Sequence, residues 1–101
     1  ALTDQLLNVA EVLDAQHKYK FAEQLRSAAL SITNNIAEGS GSSSKLEFKQ
    51  FLNYSRRSVY EVANMLIVFY RRKYIDEEQQ DFFLKELEQL SKMILSFSRS
   101  I

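Results

Sequence analysis

Apolar residues recur at every third or fourth position along most of the chain, which is the spacing of one face of an α-helix. This pattern predicts amphipathic helices over about 3–15, 21–38 and 45–73, and a fourth that follows Asp76 and runs to the chain end. No segment shows the period of two that a half-buried strand requires. We therefore expect an all-α fold, an antiparallel up-down-up-down four-helix bundle, in a single domain over residues 1–101.

Helix start and stop signals separate the four predicted helices. Gly39 follows the second apolar stripe and opens a serine-rich loop, so it is predicted to end that helix in the left-handed conformation. Ser44 with Glu47, and Asp76 with Gln79, have the spacing of a capping box at the start of a helix. The chain has no proline and only two glycines, which suits long helices joined by short links.

Composition limits the classes of function open to the chain. Lysine plus arginine and aspartate plus glutamate number 13 each, which argues against tight autonomous nucleic-acid binding but leaves room for a local basic patch. The absence of cysteine excludes thiolate metal sites and thiol catalysis. No apolar run approaches the roughly 18 residues of a membrane span, so we expect no membrane contact and a cytoplasmic location. The first residue is alanine rather than methionine, which leads us to expect a trimmed N-terminus.

Catalytic chemistry is poorly represented. The one histidine, His17, falls in the polar segment 16–20 and is expected to be solvated. A di-iron bundle needs inward-facing Glu-x-x-His pairs, and the chain has none. Glu61 lies beside an apolar stripe, but one carboxylate cannot hold a metal or perform acid–base chemistry alone. We therefore expect no enzymatic activity, no metal and no cofactor.

Polar residues interrupt the predicted contact between the second and third helices. Ser31, Asn35 and Glu38 lie four and three residues apart on one helical face, and Ser55, Ser58 and Glu61 follow at steps of three on the next helix. We predict a buried hydrogen-bond network that sets the register of the two helices, with Asn35 and Ser58 linked to Glu38 or Glu61. A ligand pocket at the same place remains open as the alternative.

Basic residues cluster on the long third helix, among several tyrosines. Two clusters lie about four turns apart on that helix, and one arginine of the second helix is expected to join the first cluster. The cations concerned are Arg26, Arg56, Arg57, Arg71, Arg72 and Lys73. They favour either a solvated helix face with salt bridges or a surface that contacts phosphate or another subunit.

The sequence resembles a known family at these positions. The segments Gln24–Ile32, Asn35–Gly41 and Glu47–Leu52, followed by Ser58 and Glu61, resemble four-helix-bundle proteins encoded in intervening sequences of 23S ribosomal RNA genes. The same family includes the accessory variability protein of diversity-generating retroelements. The resemblance implies a bundle that assembles into a closed ring, commonly a pentamer. In the retroelement branch it implies a basic ring that contacts nucleic acid and engages a reverse transcriptase.

Together, the residues and the resemblance predict a non-enzymatic, cyclic homo-oligomer, a pentamer by the resemblance. We expect it to be an accessory protein associated with RNA, DNA or a nucleoprotein. The alternative is a purely protein-binding scaffold subunit whose tyrosine and arginine surface is buried between subunits. Ser27 and Ser42 favour this alternative, because arginine is frequent at these positions in the family.

Overall fold

The computed structural model describes residues 1–101 and contains four α-helices and no strand. The helices are α1 Leu2–Ala15, α2 Tyr19–Ser40, α3 Lys45–Arg71 and α4 Glu77–Ser100. The all-α prediction is therefore confirmed. Helix α2 is longer at both ends than the apolar spacing predicted, and α3 stops two residues earlier.

Consecutive helices run antiparallel, as contacts between residues far apart in sequence demonstrate. The Phe21 ring near the start of α2 packs against the Phe69 ring near the end of α3, with 5.9 Å between ring centroids. Phe48 at the start of α3 likewise packs against Phe97 at the end of α4, at 5.6 Å. The predicted up-down-up-down bundle is confirmed.

The core is one continuous cluster of buried apolar side chains to which every helix contributes. These side chains occupy the stripes that the sequence pattern predicts, because residues three and four apart lie on the same face of a helix. Phe97 is an exception within the last stripe, since 48% of its surface remains exposed. The largest fully buried side chains are Phe69, Leu6, Leu13, Leu25, Leu66 and Leu87.

Helices α1 and α3 both end in a turn whose key residue is left-handed but is not glycine. His17 and Lys73 have φ values of 64° and 63°. After α1, the Lys18 amide donates to the Leu13 carbonyl at 2.9 Å and the His17 amide donates to that of Asp14 at 2.9 Å. This pair of bonds defines a Schellman motif, and the turn after α3 repeats it around Lys73.

Gly39 has a different role from the one that the sequence predicted. Helix α2 continues through Gly39 to Ser40, and Gly39 is buried without a positive φ. A Cβ atom added there would lie 2.8 Å from Cδ1 of Phe48 and 2.8 Å from Cβ of Phe51. The glycine is therefore needed for the close approach of α2 and α3 rather than for a turn.

The predicted capping boxes are present to different degrees. At α4, the Gln79 amide donates to Asp76 Oδ1 at 2.8 Å and the Asp76 amide donates to Gln79 Oε1 at 3.2 Å, which completes the box. At α3, the Glu47 amide donates to Ser44 Oγ at 3.2 Å, but the Ser44 amide donates to Ser42 Oγ instead. Only half of that box forms, because the loop serine already occupies the amide.

Replacing Gly39 with alanine should destabilise the fold by about 1–3 kcal/mol, the usual range for an overpacked core. Cβ of Phe51 is fixed to its backbone, so α2 and α3 have to separate. Urea denaturation measures the effect. Gly41→Ala is the matched control, because its Cβ would make only an ordinary contact, 3.6 Å from the Glu38 carbonyl. Equal stability of the two variants would contradict this role of Gly39.

Replacing His17 with glycine should stabilise the protein by about 1 kcal/mol, because left-handed backbone is unfavourable for residues with a Cβ. The His17 side chain is exposed and contacts Tyr19, whose hydroxyl lies 2.7 Å from Nδ1 and whose ring centroid lies 5.7 Å from that of the imidazole. His17→Ala serves as the control, since it removes the same side chain and keeps the backbone penalty. If His17→Ala raised the midpoint of thermal unfolding as much as His17→Gly, the left-handed backbone would not be the cause.

Candidate functional site

A cluster of three uncharged polar side chains joins α2 to α3. The Ser58 hydroxyl donates to Ser31 Oγ at 2.9 Å and also lies 3.3 Å from the Tyr54 carbonyl. Asn35 Nδ2 donates to Ser31 Oγ at 3.0 Å and to the Ser31 carbonyl at 2.8 Å. Ser58 is buried and the other two are half-buried. The Ser31–Asn35–Ser58 cluster is satisfied within the protein, as buried polar groups normally are.

A second hydrogen bond between the same helices lies deeper. The Ser55 hydroxyl is completely buried and donates to the Ile32 carbonyl at 2.8 Å. A side chain on α3 thus bonds directly to the backbone of α2. Because a bond to a backbone atom has a fixed axial position, it specifies the register of the two helices.

Glu38 and Glu61 do not belong to the cluster, contrary to the prediction that they would link to Asn35 and Ser58. Both are exposed, and neither makes a hydrogen bond or a salt bridge. A carboxylate without a cationic partner is costly to bury, so both remain hydrated. Glu61 instead lines a shallow groove of about 630 Å³ between α2 and α3, together with Ser27 and Asn64.

Arg26 is neutralised by two acids and does not join the basic residues of α3. Its Nη1 lies 3.1 Å from Asp14 Oδ2, and its Nη2 lies 3.2 Å from Glu23 Oε2. Hydrogen bonds to Asp14 and then to Glu23 raise the pKa of Arg26 above its ordinary value. The main effect of this residue is to connect α1 to α2.

Arg56 faces α4, where it takes part in a chain of polar contacts. Its Nη2 donates to the Tyr60 hydroxyl at 3.2 Å, and the Ser91 hydroxyl donates to the same oxygen at 3.2 Å. The hydrogen bond from Ser91, followed by the charge of Arg56, lowers the pKa of Tyr60 below its ordinary value. Arg56 is half-buried and its Nε has no hydrogen-bond partner.

The other four of the six cations singled out in the sequence, Arg57, Arg71, Arg72 and Lys73, are exposed and unpaired. None of them forms a salt bridge. Arg57 lies over the ring of Tyr54, with 5.8 Å from Cζ to the ring centroid. Arg71 follows it by a rise of about 21 Å along α3, and Arg72 and Lys73 continue into the turn. These exposed cations lie in two separate regions, the Arg57 patch, which has a single exposed arginine, and the Arg71–Lys73 patch at the end of α3.

The Arg71–Lys73 patch adjoins acidic residues. Arg71 and Lys73 line a shallow depression with Tyr70, and Asp76 and Glu77 line its other side. The depression therefore combines both signs of charge, although neither Arg71 nor Lys73 forms a salt bridge with these acids.

The sequence predictions did not include the contact of Ser91 with Tyr60, although the sequence contains a signal for it. Ser91 lies between Leu87 and Ile94 in the apolar stripe of α4 and is buried. A serine at such a position requires a partner, which Tyr60 provides. A groove between α1 and α4 was also missed, because it separates helices that are distant in sequence.

No three histidine, aspartate or glutamate side chains come together in a group that could hold a metal ion. None of the four helices combines the length and the apolar character needed to cross a bilayer.

The fold and these contacts define a small four-helix bundle. The uncharged Ser31–Asn35–Ser58 cluster joins its central helices, α2 and α3, and two basic patches lie on α3, the longest helix. A family model described as 23S rRNA-intervening sequence protein matches residues 1–96, and the chain belongs to this family. The family inferred from the sequence resemblance is thus confirmed. No curated protein and no solved structure gives a significant match.

The Ser31–Asn35–Ser58 cluster should behave as a coupled unit. We expect Ser31→Ala and Ser58→Ala each to lower the free energy of unfolding by about 1 kcal/mol, the typical net value of a hydrogen bond. The double variant should lose about 0.5–1 kcal/mol less unfolding free energy than the two single variants together, since both residues take part in one hydrogen bond. Urea denaturation of the four proteins gives the coupling. Ser96→Ala, at an exposed site, is the control, and additive losses would contradict the cluster.

Proposed function

We propose that the protein is a non-enzymatic, self-associating accessory protein of the cytoplasm that binds nucleic acid, free or within a nucleoprotein, through the two basic patches of α3. The observation that carries this proposal is that Arg57, Arg71, Arg72 and Lys73, on α3 or in the turn after it, are all exposed and form no salt bridge. An arginine guanidinium binds phosphate with two parallel donors, and a neighbouring tyrosine can stack on a base.

Self-association strengthens this proposal physically. One subunit with zero net charge and two small patches makes few phosphate contacts, so it binds nucleic acid weakly alone. A closed ring of identical subunits repeats both patches around its axis. Once one subunit has bound a nucleic acid, the patches of the other subunits meet that molecule at high effective concentration. We propose a pentamer, on the basis of the family resemblance.

The proposed absence of catalysis rests on the surroundings of the one histidine. His17 is exposed at the turn between α1 and α2, and its hydrogen-bonding neighbour is the Tyr19 hydroxyl. A histidine that activates a nucleophile needs that nucleophile and an orienting acid within hydrogen-bond distance. Neither serine nor carboxylate hydrogen-bonds to His17.

Nucleic-acid binding should depend on the α3 patches and on salt. We expect fluorescence anisotropy with a labelled RNA hairpin, and with DNA of the same sequence, to show binding at low salt that weakens steeply as salt rises. Replacing Arg57, Arg71 and Arg72 with glutamine should reduce the slope of log affinity against log salt by about 0.9 for each lost phosphate contact. Light scattering on the same samples should give the mass of five chains.

The control for this experiment replaces Lys20 and Lys85 with glutamine. Both lysines are exposed and lie outside α3. An equal loss of binding in this control, or unchanged binding in the α3 variant, would contradict the role of the patches. A monomeric mass at all concentrations would contradict self-association.

A scaffold subunit without a nucleic-acid role is the second candidate. The engagement of Arg26 and Arg56 in contacts within the subunit favours it, because these two cations are then less available to phosphate. Exposed tyrosines beside arginines are also typical of protein interfaces. An oligomer that binds neither RNA nor DNA at low salt would support this candidate.

A further inference from the structure

An apolar groove separates α1 from α4 on the side of the bundle away from the α2–α3 groove. It has a volume of about 490 Å³. The groove is apolar at its base and along both edges, where Val12 of α1 and Phe82 of α4 are 52% and 43% exposed. The buried apolar residues that line it are Val9, Leu13, Ile75 and Phe83.

The charged residues that line this groove are acidic, and one cation lies beside it, because Lys18 Nζ is 4.6 Å from the ring centroid of the lining residue Tyr74. Asp76 and Glu78 are the charged residues that line it, and no lysine or arginine does. Helix α1, which forms one wall, contains three acids and no cation; none of the three lines the groove, and Asp14 is paired with Arg26 of α2. A ligand that fits this site therefore has an apolar surface flanked by cations.

The walls of the groove determine the backbone conformation of the ligand. Both walls are helices, whose backbone groups are bonded within each helix. An extended peptide would leave its own amides and carbonyls unpaired above Val12 and Phe82, which is costly. A helix satisfies its own backbone. The stretch from Gln5 to Leu13 spans about 12 Å, which is slightly more than two helical turns.

We propose that the groove between α1 and α4 is a docking site for a basic amphipathic helix of a partner protein. Apolar side chains at positions i, i+4 and i+7 of that helix enter between Val12 and Phe82. Lysine or arginine residues at its flanks face Asp76 and Glu78. This site goes beyond the proposed function, since it lies outside the α3 patches. It binds a positively charged helix, whereas the α3 patches bind negatively charged nucleic acid.

A second copy of this chain suits the groove less well. To dock there, a second copy would have to offer a helix with exposed apolar residues at helical spacing. The one such pair of large residues in the chain is Met93 and Phe97. Phe97 already packs on Phe48. The nearby Lys92 is paired with Glu88 at 3.3 Å, which leaves Arg99 as the one unpaired cation of that segment.

The test uses a synthetic helical peptide with leucine at i, i+4 and i+7, lysine at the flanking positions and alanine elsewhere. Fluorescence anisotropy should show binding that weakens as salt rises. We expect Val12→Asp and Phe82→Ser each to weaken it at least tenfold, and Glu78→Lys to weaken it several-fold. All three side chains are exposed, and circular dichroism checks that each variant is folded.

Two matched controls make the test specific. A peptide with glutamate in place of lysine should bind at least tenfold more weakly, and Leu30→Asp, at an exposed apolar site on α2, should leave binding unchanged. Equal binding of the two peptides, or no effect of the groove variants, would overturn the proposal. Ultracentrifugation showing self-association that Val12→Asp abolishes would assign the groove to a second copy and would also overturn it. RNA binding by Val12→Asp should be unchanged, so this proposal and the proposed function fail independently.

Discussion

The close packing of α2 against α3 depends on small residues at their contact. Gly39 lets the aromatic rings at the start of α3 rest directly on the α2 backbone. Further along, hydroxyl groups cross the same interface, from Ser55 to the backbone of α2 and from Ser58 to Ser31. Short side chains permit close approach, and their hydrogen bonds fix how far one helix can slide along the other. The outer helices then attach to this central pair, α1 to α2 and α4 to α3.

Small residues in this contact leave the long charged side chains on the outside of the bundle. The positive charge concentrates on α3 and the turn after it, whereas α1 is entirely acidic in its charged residues. The zero net charge of the chain therefore conceals two surfaces of opposite character. This separation explains why overall charge is a weak guide to the partners of this protein, since a ligand meets a local surface rather than the sum over the molecule.

The sequence predicted the helices and their buried faces well because apolar spacing reports directly which side of a helix is inside. It failed where one residue type can serve two purposes. Gly39 had the position of a helix stop, yet it serves a tertiary contact, and His17 and Lys73 adopt the left-handed conformation usually marked by glycine. The spacing of Glu38 and Glu61 correctly predicted the helix face on which they lie, but it did not predict that both side chains are exposed. The groove between α1 and α4 was beyond prediction, because periodicity describes one helix and not the gap between two.

Helix α1 is the shortest of the four, and most of its close backbone approaches are to α2 alone. A segment held mainly by one neighbour opens more readily than one held by two, without unfolding the rest of the molecule. We therefore expect amide hydrogens of α1 to exchange with solvent faster than those of α3. Local opening of α1 would widen the groove that it shares with α4, so that the groove would accept side chains of different size.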